Sequence, residues 1–156
     1  MTVSALSAAK TLCEMSGWTI SNLELQKILY IAHMFHLGTS GGNPLVSETF
    51  EAWEYGPVLP AVYRKAKGFG SGAVRNVFHW EQSVPEDSSE YKMLNEALKT
   101  AKGKSPSQLV SITHWPKGAW YKSYRPHERC ISIPNGLILE EFNSRVETLS
   151  VQKVAN

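Results

Sequence analysis

Along the chain the apolar positions recur mainly at helical steps, and several polar clusters mark where helices begin. Ser21-Asn22-Leu23-Glu24 has the form of a capping box, with Ile20 and Leu25 placed as a hydrophobic staple around it. After it, Leu25, Ile28, Leu29, Ala32 and Phe35 follow three- and four-residue spacing. Tyr30, Ile31, Met34 and Leu37 cover most of the other side. The predicted helix, Leu23 to about Leu37, is therefore apolar nearly all round and belongs in the middle of a domain. Gly38 opens the stretch GTSGGNP, which is expected to end it.

Three further helices are predicted. Asp87-Ser88-Ser89-Glu90 opens one that carries Tyr91, Leu94, Leu98 and Ala101 and stops at Gly103. Ser105-Pro106-Ser107-Gln108 opens the next, with proline at the first position and Leu109 and Ile112 on its buried stripe. Near the end, Leu139, Phe142, Val146 and Leu149 define a closing amphipathic helix. Asn135-Gly136 admits a hairpin turn between ISI and LIL, but the helical period outruns any short strand, so Asn135 is read as the cap. The first sixteen residues make a weaker helix along Val3, Leu6, Ala9 and Cys13.

The stretch FEAWEYGPVLPAVYRKAKGFG is different in kind. Phe50 to Tyr55 alternates as a short extended segment does, Gly56-Pro57 breaks it, and Pro60 begins a short helix carrying Val62, Tyr63, Ala66 and Phe69. Pro57-Val58-Leu59-Pro60 also fits a PxxP ligand, but its apolar flanks favour prolines that shape a turn and start a helix. The fold class expected is mainly α: one compact helical domain over residues 1–156, with at most short extended segments.

Composition narrows the class. Hydrophobic residues at 42% and charged ones at 19% exclude a disordered chain. Two cysteines, Cys13 and Cys130, are too few for the disulfide framework of a small secreted domain, which points to a reducing, cytoplasmic setting. The N-terminus has no basic, long-apolar leader pattern, and no run approaches the ~20 apolar residues of a membrane span. The net charge of +2 is uneven: residues 1–60 carry −3 and residues 61–130 carry +6. A basic middle can meet nucleic acid or an acidic protein face. Its lysines and arginines are dispersed among acids, so a solvated surface is the preferred reading and nucleic-acid binding an alternative.

Candidate chemistry is sparse. His33 and His36 stand three apart on the central helix, and His114 can be imagined as a third metal ligand, but no zincin spacing accompanies them. Hydrogen-bonding histidines are the simpler account. Neither cysteine lies in a nucleophile motif, and there is no glycine-rich phosphate loop, G-x-S-x-G elbow or EF-hand. No enzymatic activity, catalytic residue, cofactor or metal is expected. Trp53, Tyr55, Tyr63, Trp115, Trp120, Tyr121 and Tyr124 cluster around irregular segments and suit either a core or an interface. Gln26 and Lys27 interrupt the apolar helix, so each is either exposed at a working surface or satisfied inside.

Together these stretches resemble a known family. LELQKILYIAH, then EAWEYGPVLPAVYRKAKGFG, then a segment from Ser107 through Thr113-His114 to Trp120 is similar to the pattern of the Panacea domain of SocA-like antitoxins and phage-associated GepA-like proteins. The likeness covers roughly residues 5 to 147 and is faintest in GSGAVRNVFHWEQSVPEDSS. It implies an antitoxin that neutralises a cognate protein toxin by direct binding, commonly within a toxin–antitoxin pair and often in a prophage. It also implies, as an alternative, an adaptor that delivers the bound toxin to a Clp-type protease. The positions that match the motif are Gln26, Lys27, Tyr30, Trp53, Tyr55, Gly56, Pro57, Tyr63, His114 and Trp120. They are candidates for toxin contact or for holding the fold, and the second role is preferred because a small domain needs its large aromatics inside.

Overall fold

The computed structural model describes residues 2–155, with side chains as far as Val151. It is mainly α. The described elements are α1 (Ala5–Met15), α2 (Asn22–Thr39), β1 (Glu51–Trp53), β2 (Gly56–Val58), α3 (Pro60–Ala66) with a 3-10 turn at Lys67–Phe69, α4 (Ser89–Ala101), α5 (Pro106–Thr113), α6 (Ala119–Ser123) and α7 (Asn135–Ala155).

The helix that the sequence makes apolar all round is the axis of the molecule. α2 packs against α1, α3, α4, α5, α7 and β2. Leu25, Ile28, Leu29, Ile31, Ala32 and Leu37 are all buried, at about 1.5–3 kcal/mol for each large aliphatic side chain. Its start is the expected box: Glu24 N–H donates to the Ser21 hydroxyl, and Ser21 N–H to the Glu24 carboxylate. Its end differs. The helix runs through Gly38 to Thr39, and the glycine there serves packing, since a β-carbon at Gly38 would lie 2.0 Å from the Phe142 ring. Gly38 is thus a point of close approach to α7, and Gly41 and Gly42, both at positive φ, follow the helix.

Other helix starts sit near their predicted places, with informative shifts. Val3 is extended: its N–H donates to Leu45 O, its carbonyl accepts from Ser47 N–H, and Ser4 caps α1 instead. α5 has the predicted box of Ser105 and Gln108 with Pro106 at its first turn. α4 opens within the predicted stretch Asp87–Glu90, capped by Ser88 with Tyr91 N–H as the donor. Glu90, in the first turn, turns its carboxylate inward, to 3.4 Å from His36 Nε2.

The sheet is a two-strand antiparallel hairpin, Trp53 opposite Gly56 across the turn Glu54-Tyr55. The ISI segment lies along the other edge of β1: Ala52 N–H donates to Ile131 O and Ile133 N–H to Phe50 O. ISI is therefore extended, but its partner is β1 and not LIL, which is helical. Asn135 is the first residue of α7 and not its side-chain cap; its amide oxygen faces His33 Nε2 at 2.9 Å. α7 also lies rotated from the predicted stripe. Ile138 and Glu141 face the core, whereas Val146 and Leu149 are 46% and 60% exposed. A glutamate takes an inward position there because three neighbours donate to it.

Candidate functional site

The matched motif residues other than Tyr30 converge on one place, where α2, the hairpin and the α5–α6 corner meet. Gln26 and Lys27 are buried despite their polarity. Gln26 Oε1 accepts from Leu59 N–H at 2.8 Å, just where β2 gives way to Pro60 and the backbone would otherwise lose a partner. Lys27 Nζ donates to Pro57 O at 3.1 Å. Burial holds this amine down to a pKa of about 7, since removal from water penalises the charged form.

Gly56 makes the approach possible. Its φ is +119°, and a β-carbon there would stand 2.9 Å from both Lys27 Nζ and Thr113 Oγ1. The position thus demands glycine twice, for conformation and for space. Pro57 follows with its carbonyl aimed at the lysine.

Aromatic residues close the other side. Trp53 meets Tyr63 edge-on at 4.8 Å, and its indole N–H donates to Glu51. The Trp120 indole N–H donates to the Trp53 carbonyl at 2.6 Å, which ties α6 to the hairpin. His114 stacks on Trp120 at 3.7 Å and Tyr124 stacks on the same ring at 4.9 Å. Desolvation lowers the His114 pKa, opposed by a backbone hydrogen bond with Tyr55 and reinforced by Lys27. Tyr55 itself is 64% exposed at the tip of the turn.

Tyr30 belongs to an adjoining cluster. Its hydroxyl donates to Glu141 Oε1 at 2.6 Å, an oxygen that also accepts from Ala119 N–H at 2.9 Å. Arg145 donates to the other oxygen at 2.7–2.8 Å, reaches Ile112 O, and lies 4.6 Å above the Trp115 ring. Burial, followed by the Glu141 charge, drives the Tyr30 pKa well above the ordinary tyrosine value. Glu141, Arg145 and Ala119 were not among the motif residues. A glutamate one step from an apolar stripe and four residues before an arginine was the available signal, and surface i,i+4 pairs look the same in sequence.

The candidate metal ligands do not gather. His33 Nδ1 faces Val46 N–H at 3.4 Å, so it accepts, and Nε2–H donates to Asn135. Burial lowers the His33 pKa to about 4. His36 Nδ1–H donates to Asn43 O at 2.7 Å, and its Nε2 faces Ser89 Oγ at 2.9 Å. His114 lies with the hairpin, stacked on Trp120. Among the described residues no group of three or more His, Cys, Asp or Glu is arranged to hold a metal ion. Burial, with Glu14 beside it, pushes the Cys13 thiol up to about 12, which leaves it a protonated, apolar side chain at neutral pH. A buried amine and a buried amide thus bond α2 to two backbone groups of the hairpin's second strand and its end, Pro57 O and Leu59 N–H.

A family model described as "Antitoxin SocA-like, Panacea domain" matches residues 25–121. The chain belongs to this family. The match runs through every Panacea motif residue from Gln26 to Trp120, so the clamp on the hairpin lies inside it, while Glu141, the partner of Tyr30, lies beyond it. The chain is 39% identical over 110 residues to Antitoxin SocA of Caulobacter vibrioides (strain NA1000 / CB15N), an alignment covering 65% of this chain and 58% of that protein. The chain thus spans just over half the length of this curated relative. No solved structure matches it significantly.

Proposed function

We propose that this Panacea-domain chain is an antitoxin that neutralises a cognate protein toxin by binding it directly. The observation that carries the reading is that the family match covers the region in which the motif residues assemble, beside a 39% identity over 110 residues to Antitoxin SocA. The character of that region supports a binding role without catalysis. Its one low-pKa amine is buried against backbone, away from any solvent-borne substrate. The motif residues hold the hairpin on α2, and toxin contact falls to exposed surface around this frame.

The setting we infer is cytoplasmic; no described helix is long and apolar enough to cross a membrane. The test is coexpression of this chain with each neighbouring reading frame in its genome. One neighbour should arrest growth alone and be rescued by this chain, and copurify with it. Failure of every neighbour to be both toxic and rescued overturns the reading. The same assay in cells lacking Clp proteases separates occlusion, in which rescue persists, from proteolytic delivery, in which it is lost.

A further inference from the structure

We propose that the cleft between the ends of α1 and α4 and the first turns of α2 is the docking groove for an acidic amphipathic segment of the partner protein. This refinement rests on the toxin-binding reading above. The cleft has a volume of about 490 Å³, and its floor is aliphatic: Met15, Ile28, Leu98 and Leu109. Ile28 and Leu109 are core residues, 2% and 1% exposed, and back the cleft, while the half-buried Met15 and Leu98 supply its accessible apolar surface.

Its rim is basic. Lys99, Lys102 and Lys104 line it from the last turn of α4 and the turn that follows, where Gly103 at φ +80° reverses the chain. Glu24 also lines the cleft, and one of its oxygens accepts from Ser21 N–H in the capping box. Lys99 also meets Glu96 at 3.6 Å, an exposed contact with side chains 65% and 45% accessible, and Lys104 donates to Thr100 O. Exposed pairs of this kind are weak and exchange readily for better partners. The rim therefore carries an excess of positive charge beside apolar surface.

This accounts for part of the basic 61–130 segment: Lys99, Lys102 and Lys104, close together in sequence, stand side by side at the cleft. An apolar floor with a cationic rim fits a segment that alternates aliphatic side chains with carboxylates: the aliphatic groups enter and the carboxylates meet the lysines. Nucleic acid fits less well, because no aromatic ring lines the cleft on which a base can stack.

The probes are a fluorescent peptide of Leu-Glu-Glu-Leu repeats, the same peptide with lysine for glutamate, and oligothymidylate, each titrated into the full chain. The acidic peptide should bind, shift the methyl resonances of Met15, Ile28, Leu98 and Leu109, and weaken as salt rises. K99E/K102E/K104E should weaken it about tenfold or more, and K99Q/K102Q/K104Q by less, with thermal melting of both variants unchanged. The proposal is overturned by absence of peptide binding, by equal binding to the charge-reversed variant, by shifts at other methyls, or by stronger binding of oligothymidylate. In coexpression, a toxin rescued by the natural chain and not by the charge-reversed one supports the groove. Rescue by both removes the groove and leaves the antitoxin reading standing. If the natural chain rescues no neighbour, the antitoxin reading fails and, with it, the groove as a toxin site.

Discussion

The hydroxyl of Tyr30 donates a 2.6 Å hydrogen bond to Glu141, a residue 111 positions further along the chain. The same carboxylate receives the Ala119 N–H and the Arg145 guanidinium. One buried acid thus joins the central helix, α6 and the closing helix. Removing it orphans three donors at once. Glu141→Ala is expected to cost on the order of 3–5 kcal/mol, the range for breaking a buried ion pair from one side. Tyr30→Phe, which leaves the other donors in place, should cost about 1.5–3 kcal/mol. Urea unfolding, with Glu140→Ala as the exposed neighbour control, measures both; equal midpoints for the two glutamate variants would refute this role for Glu141.

Gly38 supplies the second prediction. A methyl group there meets the Phe142 ring at 2.0 Å, well inside contact distance. Alanine normally favours a helix interior over glycine by about 1 kcal/mol. Here Gly38→Ala is expected to destabilise by about 1–3 kcal/mol through overpacking. Combining it with Phe142→Leu should recover part of the loss. If Gly38→Ala alone raises the unfolding midpoint, the close approach of α2 and α7 is not as described.

Local signals carried most of the fold, and long-range hydrogen bonds decided what they could not. Two capping boxes, the prolines at the starts of α3 and α5, and the all-round apolarity of α2 are short-range facts, and the helices follow from them. Asn135 and the closing stripe went differently because each competed with a distant partner. Glu90 turns to His36, Asn135 to His33, and Glu141 to Tyr30, and none of these pairings has a sequence spacing. At the site, the motif named the residues near the hairpin, but only the structure places Gln26 and Lys27 inside, bonded to the backbone of Leu59 and Pro57. The groove lysines were visible as charge and not as a surface.

Lys27 predicts a pH dependence of stability. Its folded pKa is lowered from 10.5 to about 7 by burial. Between those values the unfolded chain holds a proton that the folded chain has released, so stability rises with pH across the window. The gain is at most about 1.4 kcal/mol per pH unit. Lys27→Met should flatten this slope between pH 7 and 10, whatever it does to absolute stability through the lost bond to Pro57. Denaturant midpoints measured across that range test it, and an unchanged slope would place the titration elsewhere.

His33 acts at the acid end. Burial, with His36 nearby, holds its pKa at about 4, down from 6.5, against the opposing hydrogen bond to Asn135. The unfolded chain therefore takes up a proton below pH 6.5 that the folded chain resists until about 4. Stability from this residue is complete above 6.5 and declines as pH falls toward 4, by roughly 3 kcal/mol in all. NMR titration of the imidazole should show it neutral at pH 5.5. A His33→Gln variant should lose less stability than the natural chain over the same acid window.

The hairpin allows the frame and the contact surface to be separated. Gly56→Ala forces an L residue to φ +119° and sets a methyl group 2.9 Å from Lys27 Nζ and Thr113 Oγ1. Backbone strain and overpacking together amount to about 2–5 kcal/mol. Tyr55→Ala changes a side chain that is 64% exposed at the same turn and should stay within about 0.5 kcal/mol of the natural chain. If the motif residues serve the frame, Gly56→Ala loses toxin rescue in step with its loss of folded protein, and Tyr55→Ala rescues fully. A Tyr55→Ala chain that melts normally yet fails to rescue would instead make the turn itself part of the contact, with Tyr55 as its anchor.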